Sequence, residues 1–134
     1  MSGANTVAVG IDVVEVDRIR QALERTPGLS ERCFTDNELA YCNLARDPAE
    51  RLAARWAAKE AAIKCLGGGV PGLDLRHVEV VRNDDGSPAL RLQGEPAQRA
   101  TDRDINSWLI SMSHTATTAQ AIVIGLSSRS RHRT

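Results

Sequence analysis

Residues 55–64 read RWAAKEAAIK and run into three glycines at 67–69. The chain has two lysines against fifteen arginines, and both lysines, Lys59 and Lys64, stand in this stretch around the carboxylate of Glu60. A lysine ammonium is a movable point charge that suits phosphate and shifts its pKa readily, and a guanidinium does not replace it. The stretch therefore predicts a helix that holds the chemical centre of the protein.

At 100° per residue this helix has one apolar stripe, and Lys59 falls in the middle of it. Glu60 and Lys64 lie at the margin of the stripe, four residues apart, a spacing that also suits an ordinary helix-stabilising pair. Such a pair does not explain a lysine inside the apolar stripe. The opposite face consists of alanines, which predicts that the helix packs on both sides, against its own core and against something else.

Length and composition predict one domain, residues 1–126, followed by a basic, disordered tail at 127–134. The 134 residues are 42% apolar, but only four are aromatic, so oligomerisation would help to stabilise a core of small side chains. The three cysteines form no CxxC and are expected to be reduced thiols in a cytoplasmic protein. We expect neither a signal peptide nor a membrane-spanning segment.

The tail contains three arginines and no acid, whereas residues 1–126 contain 17 acids against 14 lysines and arginines. Three charges without an accompanying aromatic pattern are a weak footprint for nucleic acid. No nucleic-acid partner is therefore expected.

The order of local patterns predicts an α+β fold, with helices packed on one side of a largely antiparallel sheet. The first strand is β-branched, and a T-x-x-E capping box starting at Thr35 opens the second helix. The expected strands are 6–14, 77–82, 88–93, 105–113 and 118–126, and the expected helices are 15–26, 35–46, 49–66 and 95–103.

Asp12 stands at the end of the first strand and shares its face with Gly10 and Val14. A carboxylate beside a glycine at a strand end can hold a metal or orient a ligand, although it can equally be the N-cap of the next helix. Asp12 and Glu60 together would form a sparse pair of oxygen ligands. Mg²⁺ suits such a pair, because it fills its shell with water and substrate phosphate.

Ser113, His114 and Thr115 stand at the end of a strand and offer groups that hydrogen-bond phosphate or a nucleotide, but they also fit an ordinary hairpin turn. The glycines at 67–69 come after a helix, so they form neither a phosphate-binding P-loop nor a dinucleotide fingerprint. They are either a flexible helix C-cap or, at Gly69, a point where the backbone approaches a cofactor closely.

The first helix and the segment after it carry arginines interspersed with acids. This mixed surface is a modest candidate for docking an acidic partner. The arginines concerned are Arg18, Arg20, Arg25 and Arg32.

Taken together, these segments resemble the holo-[acyl-carrier-protein] synthase family, the small trimeric bacterial 4′-phosphopantetheinyl transferases. The matching pieces follow the family's order over residues 7–126. They are Gly10-Ile11-Asp12, Arg18, Phe34-Thr35 with Glu38-Leu39, residues 55–64, and Ser113-His114-Thr115.

The resemblance implies transfer of the 4′-phosphopantetheine moiety of coenzyme A to a serine of an apo acyl carrier protein. Adenosine 3′,5′-bisphosphate would be released, and the product would serve fatty-acid or polyketide biosynthesis. The resemblance also implies that Asp12, Glu60 and Lys64 are catalytic, the two carboxylates binding Mg²⁺ and Lys64 contacting phosphate. The residues implied to contact coenzyme A are Arg55, Lys64, Gly69, Ser113, His114 and Thr115.

The same resemblance implies a homotrimer with active sites at the subunit interfaces, which the alanine-faced helix would suit. The carrier protein would dock its acidic recognition helix on Arg18 and its neighbours. Positioning and charge neutralisation dominate this kind of transfer. The serine proton goes to Glu60 or to a metal-bound water, and the sequence leaves that choice and Mg²⁺ versus Mn²⁺ open. Lys59 is expected to pair with a carboxylate that anchors its helix, with a direct phosphate contact as the second choice.

Two other classes of function remain open, a non-enzymatic oligomeric binding module and a different nucleotide-dependent enzyme. A binding module has no reason to bring Asp12, Glu60 and Lys64 together. Another nucleotide enzyme would turn over ATP, whereas a phosphopantetheinyl transferase requires coenzyme A.

Overall fold

The computed structural model describes residues 5–69 and 71–128. The predicted order of elements is confirmed, with one short helix and one 3₁₀ turn (Leu75–His77) in addition. The predicted start of the tail at residue 127 is wrong, because Ser127 is the buried last residue of the final strand. Residues 129–134 lie outside the described residues. The elements are β1 (Asn5–Glu15), α1 (Val16–Arg25), α2 (Leu29–Cys33), α3 (Asp36–Cys42), α4 (Pro48–Cys65), β2 (Val78–Arg82), β3 (Pro88–Leu92), α5 (Gly94–Asp102), β4 (Ser107–His114) and β5 (Thr118–Ser127).

The capping box at the start of α3 is confirmed, since Thr35 Oγ1 accepts from the Glu38 amide and Glu38 Oε1 accepts from the Thr35 amide. The predicted end of this helix near residue 46 is wrong, because α3 stops at Cys42. The next residues tighten into i→i+3 turns, and Asp47 then caps α4, with Pro48 at its first position. A helix start is thus well encoded locally, and its end is set by the next element.

The strands form two antiparallel sheets, a three-stranded one in the order β1-β5-β4 and the separate hairpin β2-β3. Helix α4 lies across the inner face of the larger sheet, where its alanines are fully or almost fully buried. At Gly10 the helix comes so close that a Cβ would lie 1.9 Å from the carbonyl oxygen of Ala61. The alanine face therefore packs on the chain's own sheet, which is the second surface that this helix was predicted to meet.

The outer face of the same sheet is apolar and exposed. Ile11 stands opposite Ile122, which stands opposite Ser111, and Val9 and Leu109 flank Ile124 in the next row. Val9 and Ile11 are each 57% exposed and Leu109 is 55% exposed. Within residues 5–69 and 71–128, no element covers this face. The sequence pattern showed the strands but gave no sign that one of their faces would be left open.

No helix in the described part of the chain is long and apolar enough to span a bilayer.

Candidate active site

An open cleft of about 400 Å³ lies between the end of β1, helix α1 and the outer side of α4. Asp12, Arg18 and Glu60 supply its polar lining. Apolar side chains line the rest of the cleft and include Leu23 and Trp56. A charged group bound at the carboxylates would therefore lie beside an apolar wall.

Asp12 reaches this cleft because it lies on the inner face of β1, as its alternation with Ile11 predicted. Lys64 Nζ donates to the Ile11 carbonyl at 2.6 Å and to Asp12 Oδ1 at 3.3 Å. Lys64 thus joins the last turn of α4 to β1 and does not form the ordinary intrahelical ion pair with Glu60. Its side chain is 53% exposed, so the ammonium can also reach a ligand.

Glu60 stands one helical position beyond Lys59 and points to the cleft. Burial and, after it, the charge of Asp12 raise the pKa of Glu60 from its ordinary value, and Lys64 opposes this shift. Two carboxylates that feel each other's charge in a partly buried cleft are stabilised by a cation between them. The pair is thus arranged for a positively charged ligand.

The described residues contain no cluster of three or more His, Cys, Asp or Glu side chains that could hold a metal. Zinc and calcium sites need larger sets of protein ligands than Asp12 and Glu60 provide. Mg²⁺ needs no larger set of protein ligands, because it binds through one or two carboxylates plus substrate phosphates and water. The two carboxylates therefore fit Mg²⁺ held jointly with a phosphate ligand.

Lys59 is completely buried, and its ammonium donates to Glu38 Oε1 at 2.8 Å. The predicted pairing with a carboxylate is confirmed. The carbonyl oxygens of Leu75 and Val78 accept the other two bonds, at 2.9 and 2.6 Å. Since an ammonium has three N–H groups, none is left for a substrate, and the second choice, a direct phosphate contact, is wrong.

A second, basic pocket of about 260 Å³ lies on the other side of α4 and is lined by Arg55 and His114. It is built around Tyr41, whose ring has the guanidinium carbons of Arg51, Arg55 and Arg82 within 4.3 to 4.5 Å of its centroid. Sequence reasoning missed Tyr41, Arg51 and Arg82. Arg51 could have been found, because it precedes Arg55 by one helical turn.

The other predicted cofactor residues are dispersed. Ser113 lies on the outer sheet face, where its hydroxyl accepts from Gln120 Nε2 at 3.1 Å. Thr115 shapes the β4–β5 turn, since its hydroxyl accepts from the amide of Thr118. Gly69 is exposed after the last turn of α4. Of the Ser-His-Thr motif, only His114 lines the basic pocket, and its Nδ1 lies 3.2 Å from Glu50 Oε1.

The four arginines predicted to meet a partner differ in availability. Arg18 lines the cleft, and Arg25 and Arg32 are exposed. Arg20 forms ion pairs with Asp17 and with Asp47, the N-cap of α4. Its guanidinium is therefore engaged in joining α1 to α4.

Comparison with known proteins identifies the family of the chain. The model of the 4′-phosphopantetheinyl transferase superfamily matches residues 8–119. The chain is 48% identical over 118 residues to a holo-[acyl-carrier-protein] synthase of Streptomyces avermitilis, covering 88% of this chain and 95% of the relative. It is 41% identical over 128 residues to that of Herpetosiphon aurantiacus, covering 90% and 98%.

Solved structures give the same result. The acyl carrier protein synthase of Mycobacterium tuberculosis has a TM-score of 0.72 at 32% identity, covering 93% of this chain and 100% of that chain. A coenzyme A complex of the Chronobacterium ammoniagenes enzyme has a TM-score of 0.78 at 29% identity, covering 95% and 98%. Fold, length and sequence thus agree, and the chain belongs to the holo-[acyl-carrier-protein] synthases of the 4′-phosphopantetheinyl transferase superfamily.

Proposed function

We propose that this chain transfers 4′-phosphopantetheine from coenzyme A to a serine of an apo acyl carrier protein and releases adenosine 3′,5′-bisphosphate. The serine oxygen bonds to the phosphorus that carries the pantetheine arm, and the bond from that phosphorus to the bridging pyrophosphate oxygen breaks. One observation carries the proposal: Asp12 of β1 and Glu60 of α4 line the same cleft, and Lys64 donates to Asp12 beside it. Membership in the synthase family supports the same reaction.

Asp12 and Glu60 would hold Mg²⁺ together with the pyrophosphate of coenzyme A. When bound, Mg²⁺ supplies Lewis-acid polarisation of the phosphoryl group and offsets its charge. The ammonium of Lys64, anchored on Asp12, neutralises charge on the leaving oxygen. Because burial raises the pKa of Glu60, its carboxylate binds a proton more readily than a free glutamate and suits the proton of the serine hydroxyl, with a water molecule as the other acceptor.

The basic pocket would bind the nucleotide end of coenzyme A. Arg55 stands on the same helix as Glu60, and His114 completes the pocket from β4. Guanidinium groups suit phosphate, and the Tyr41 ring orients three of them. A neighbouring synthase structure contains coenzyme A, which supports this assignment.

The acyl carrier protein would dock on α1 and the apolar rim of the cleft. Arg18 lies at the carboxylates, and Arg25 and Arg32 extend the positive surface. Exposed charges of this kind steer an acidic partner and fix its orientation. A competition assay between a fatty-acid carrier and a polyketide carrier would decide which of the two pathways that partner serves. The three cysteines are free and buried, as suits work in the reducing cytoplasm.

We also propose that the enzyme is a homotrimer joined through the outer face of the β1-β5-β4 sheet. This face exposes a contiguous set of aliphatic side chains that a stable monomer would rarely leave in water. Ile11 and Val13 stand on it, immediately beside Asp12 on the same strand. A second copy packed there would lie next to the catalytic cleft, and Ser113, on the same face, would meet that copy.

The reaction is tested by the intact mass of an apo acyl carrier protein after incubation with this chain, coenzyme A and Mg²⁺. We expect one phosphopantetheine unit to be added, and EDTA or Glu60→Gln to prevent it. Glu95→Gln, on the exposed side of α5, is the matched control and should keep the activity.

An unchanged carrier mass with several different carriers would refute the transfer. Binding of coenzyme A without transfer, unaffected by Glu60→Gln, would favour a binding module. Turnover of ATP without coenzyme A would favour a different nucleotide enzyme.

A further inference from the structure

We propose that the buried ion pair of Lys59 with Glu38 is a positioning device, which holds α4 at the rotation that places Glu60 against Asp12. This inference rests on the proposed function, because it concerns how that site is kept in working geometry. Lys59 and Glu38 do not touch the substrate; they act through the helix that carries Glu60.

The three donors of Lys59 are divided among three separate elements. Glu38 belongs to α3, Leu75 to the 3₁₀ turn and Val78 to β2, and all three contacts are 2.6 to 2.9 Å long. Contacts in different directions fix the ammonium in space. The α4 backbone that carries it is thereby fixed against rotation and sliding.

Glu38 is in turn held on both carboxylate oxygens. Oε1 accepts from the Thr35 amide at 2.9 Å as well as from Lys59, and Oε2 accepts from the Val80 amide at 2.8 Å. The carboxylate is 0% exposed, so none of these three bonds competes with water. The anchor is consequently attached to the capped start of α3 and to the middle of β2, which is paired with β3.

The packing of α4 on the sheet consists mostly of non-directional contacts between small side chains. On the sheet side the helix presents alanines to Gly10, Ala119 and Ala121. Such contacts set how deep the helix lies, but small, smooth side chains resist rotation weakly. Lys64 also ties the helix to β1, at an exposed position near its end. Cys65 Sγ donates to the Val123 carbonyl from the last turn, but a thiol is a weak donor. Lys59 makes the buried, charged contacts of the helix, and it lies next to Glu60.

A small rotation would matter at the site. A side-chain tip lies ~5 to 6 Å from the axis of an α-helix, so a turn of ~10° displaces it by about 1 Å. Catalytic groups must be held within ~0.5 Å, and a misplacement of ~1 Å can lower a rate about 100-fold. Loss of the anchor therefore predicts a slow enzyme that still binds both substrates.

The test separates positioning from stability with Lys59→Met and with Lys59→Met/Glu38→Gln. The single variant leaves a buried carboxylate unpaired and should lose stability strongly. The double variant removes both charges and should recover most of the melting temperature. We expect its kcat to remain 10- to 100-fold low, with KM for the carrier within about threefold of the unaltered protein.

A readout independent of turnover is the Mg²⁺-dependent gain in coenzyme A affinity, measured by calorimetry with and without Mg²⁺. We expect this gain to fall at least fivefold in the double variant, because the carboxylate pair is misaligned. Glu38→Asp, which keeps the charge but moves it by one methylene, should show the same pattern more weakly. If the double variant does not fold, Glu38→Asp provides the test in its place. Ile105→Val, a core change away from the anchor, controls for lost stability alone.

A stable double variant with the kcat and metal-dependent affinity of the unaltered protein would overturn the inference and leave the proposed function standing. The same holds if Glu38→Asp behaves like Ile105→Val. No transfer by the unaltered protein would overturn the proposed function, and this inference with it.

Discussion

Replacing Gly10 by alanine is the most direct perturbation of the contact between α4 and the sheet. A Cβ at this position would lie 1.9 Å from the carbonyl oxygen of Ala61 and 2.8 Å from its carbonyl carbon. Ordinary van der Waals contact begins near 3.4 Å, so the shortfall is about 1.5 Å. The obstructing atoms belong to the helix backbone, and no side chain can rotate away to make room.

The helix must therefore move outward by about 1.5 Å or the strand must bend by a similar amount. Overpacking of this kind destabilises a protein by about 1–3 kcal/mol. Glu60 and Lys64 would move with the helix, away from Asp12. Since a misplacement of ~1 Å can lower a rate about 100-fold, kcat should fall by about two orders of magnitude even where the variant is fully folded.

The assays are urea denaturation for stability and the intact-mass transfer assay, at a temperature where the variant is folded, for kcat. Gly125→Ala is the matched control, because it adds the same methyl group on the same sheet face. There the nearest atoms belong to the Ile105 side chain at 3.1 Å, which can shift. We expect the control to lose less stability and to retain most of its kcat. Gly10→Ala with the stability and kcat of the unaltered chain would refute the reasoning.

Three further outcomes are expected. Because folding raises the pKa of Glu60, the ionised carboxylate destabilises the folded protein once the pH exceeds the pKa of the unfolded chain. Glu60→Gln should therefore raise the melting temperature at neutral pH, and this gain should disappear toward about pH 4. A gain that does not depend on pH would contradict this. Arg20→Ala should remove about 0–1 kcal/mol of stability and change the KM for the carrier little. Arg18→Ala should raise that KM in steady-state kinetics with a titrated carrier. Equal effects of the two variants on KM would contradict the assignment. Ile11→Asp should give monomers in light scattering, with lost activity, and an unchanged mass would exclude the outer sheet face as the interface.

The predictable parts of the fold were those with local signals. The capping box at Thr35, the alternation that places Asp12 on the inner face of β1, and the helix around Glu60 all depend on residues close in sequence. Helix α2 (Leu29–Cys33) was missed because five residues are too few to show a helical period, and Pro27-Gly28 indicated a break. The division of the strands into two sheets depends on long-range pairing, which the sequence pattern does not encode.

The same limit applies to the candidate site. The sequence indicated that Lys59 needs a carboxylate, but not that the partner is Glu38, 21 residues earlier and already engaged in a capping box. Arg20 was grouped with the docking arginines because its partner Asp47 is 27 residues away. The alanine face predicted a second packing surface, but it did not show that this surface is the chain's own sheet. In each case the sequence indicated the kind of contact that the residue needs, but not the distant residue that provides it.

The unusual use of lysine now has a physical reason at each position. Lys59 must place three donors on three acceptors that belong to different elements, inside a site with no exposure. A tetrahedral ammonium does this, whereas a planar guanidinium is larger and directs its five donors in one plane. Lys64 has to reach from the end of α4 to Asp12 while remaining exposed enough to meet phosphate, which a flexible point charge allows. Elsewhere in the chain arginine suffices, because surface ion pairs and stacking on Tyr41 use the planar fork. The two lysines therefore mark the two positions of α4 where a compact charge is required, one for the geometry of the helix and one for the chemistry of the proposed function.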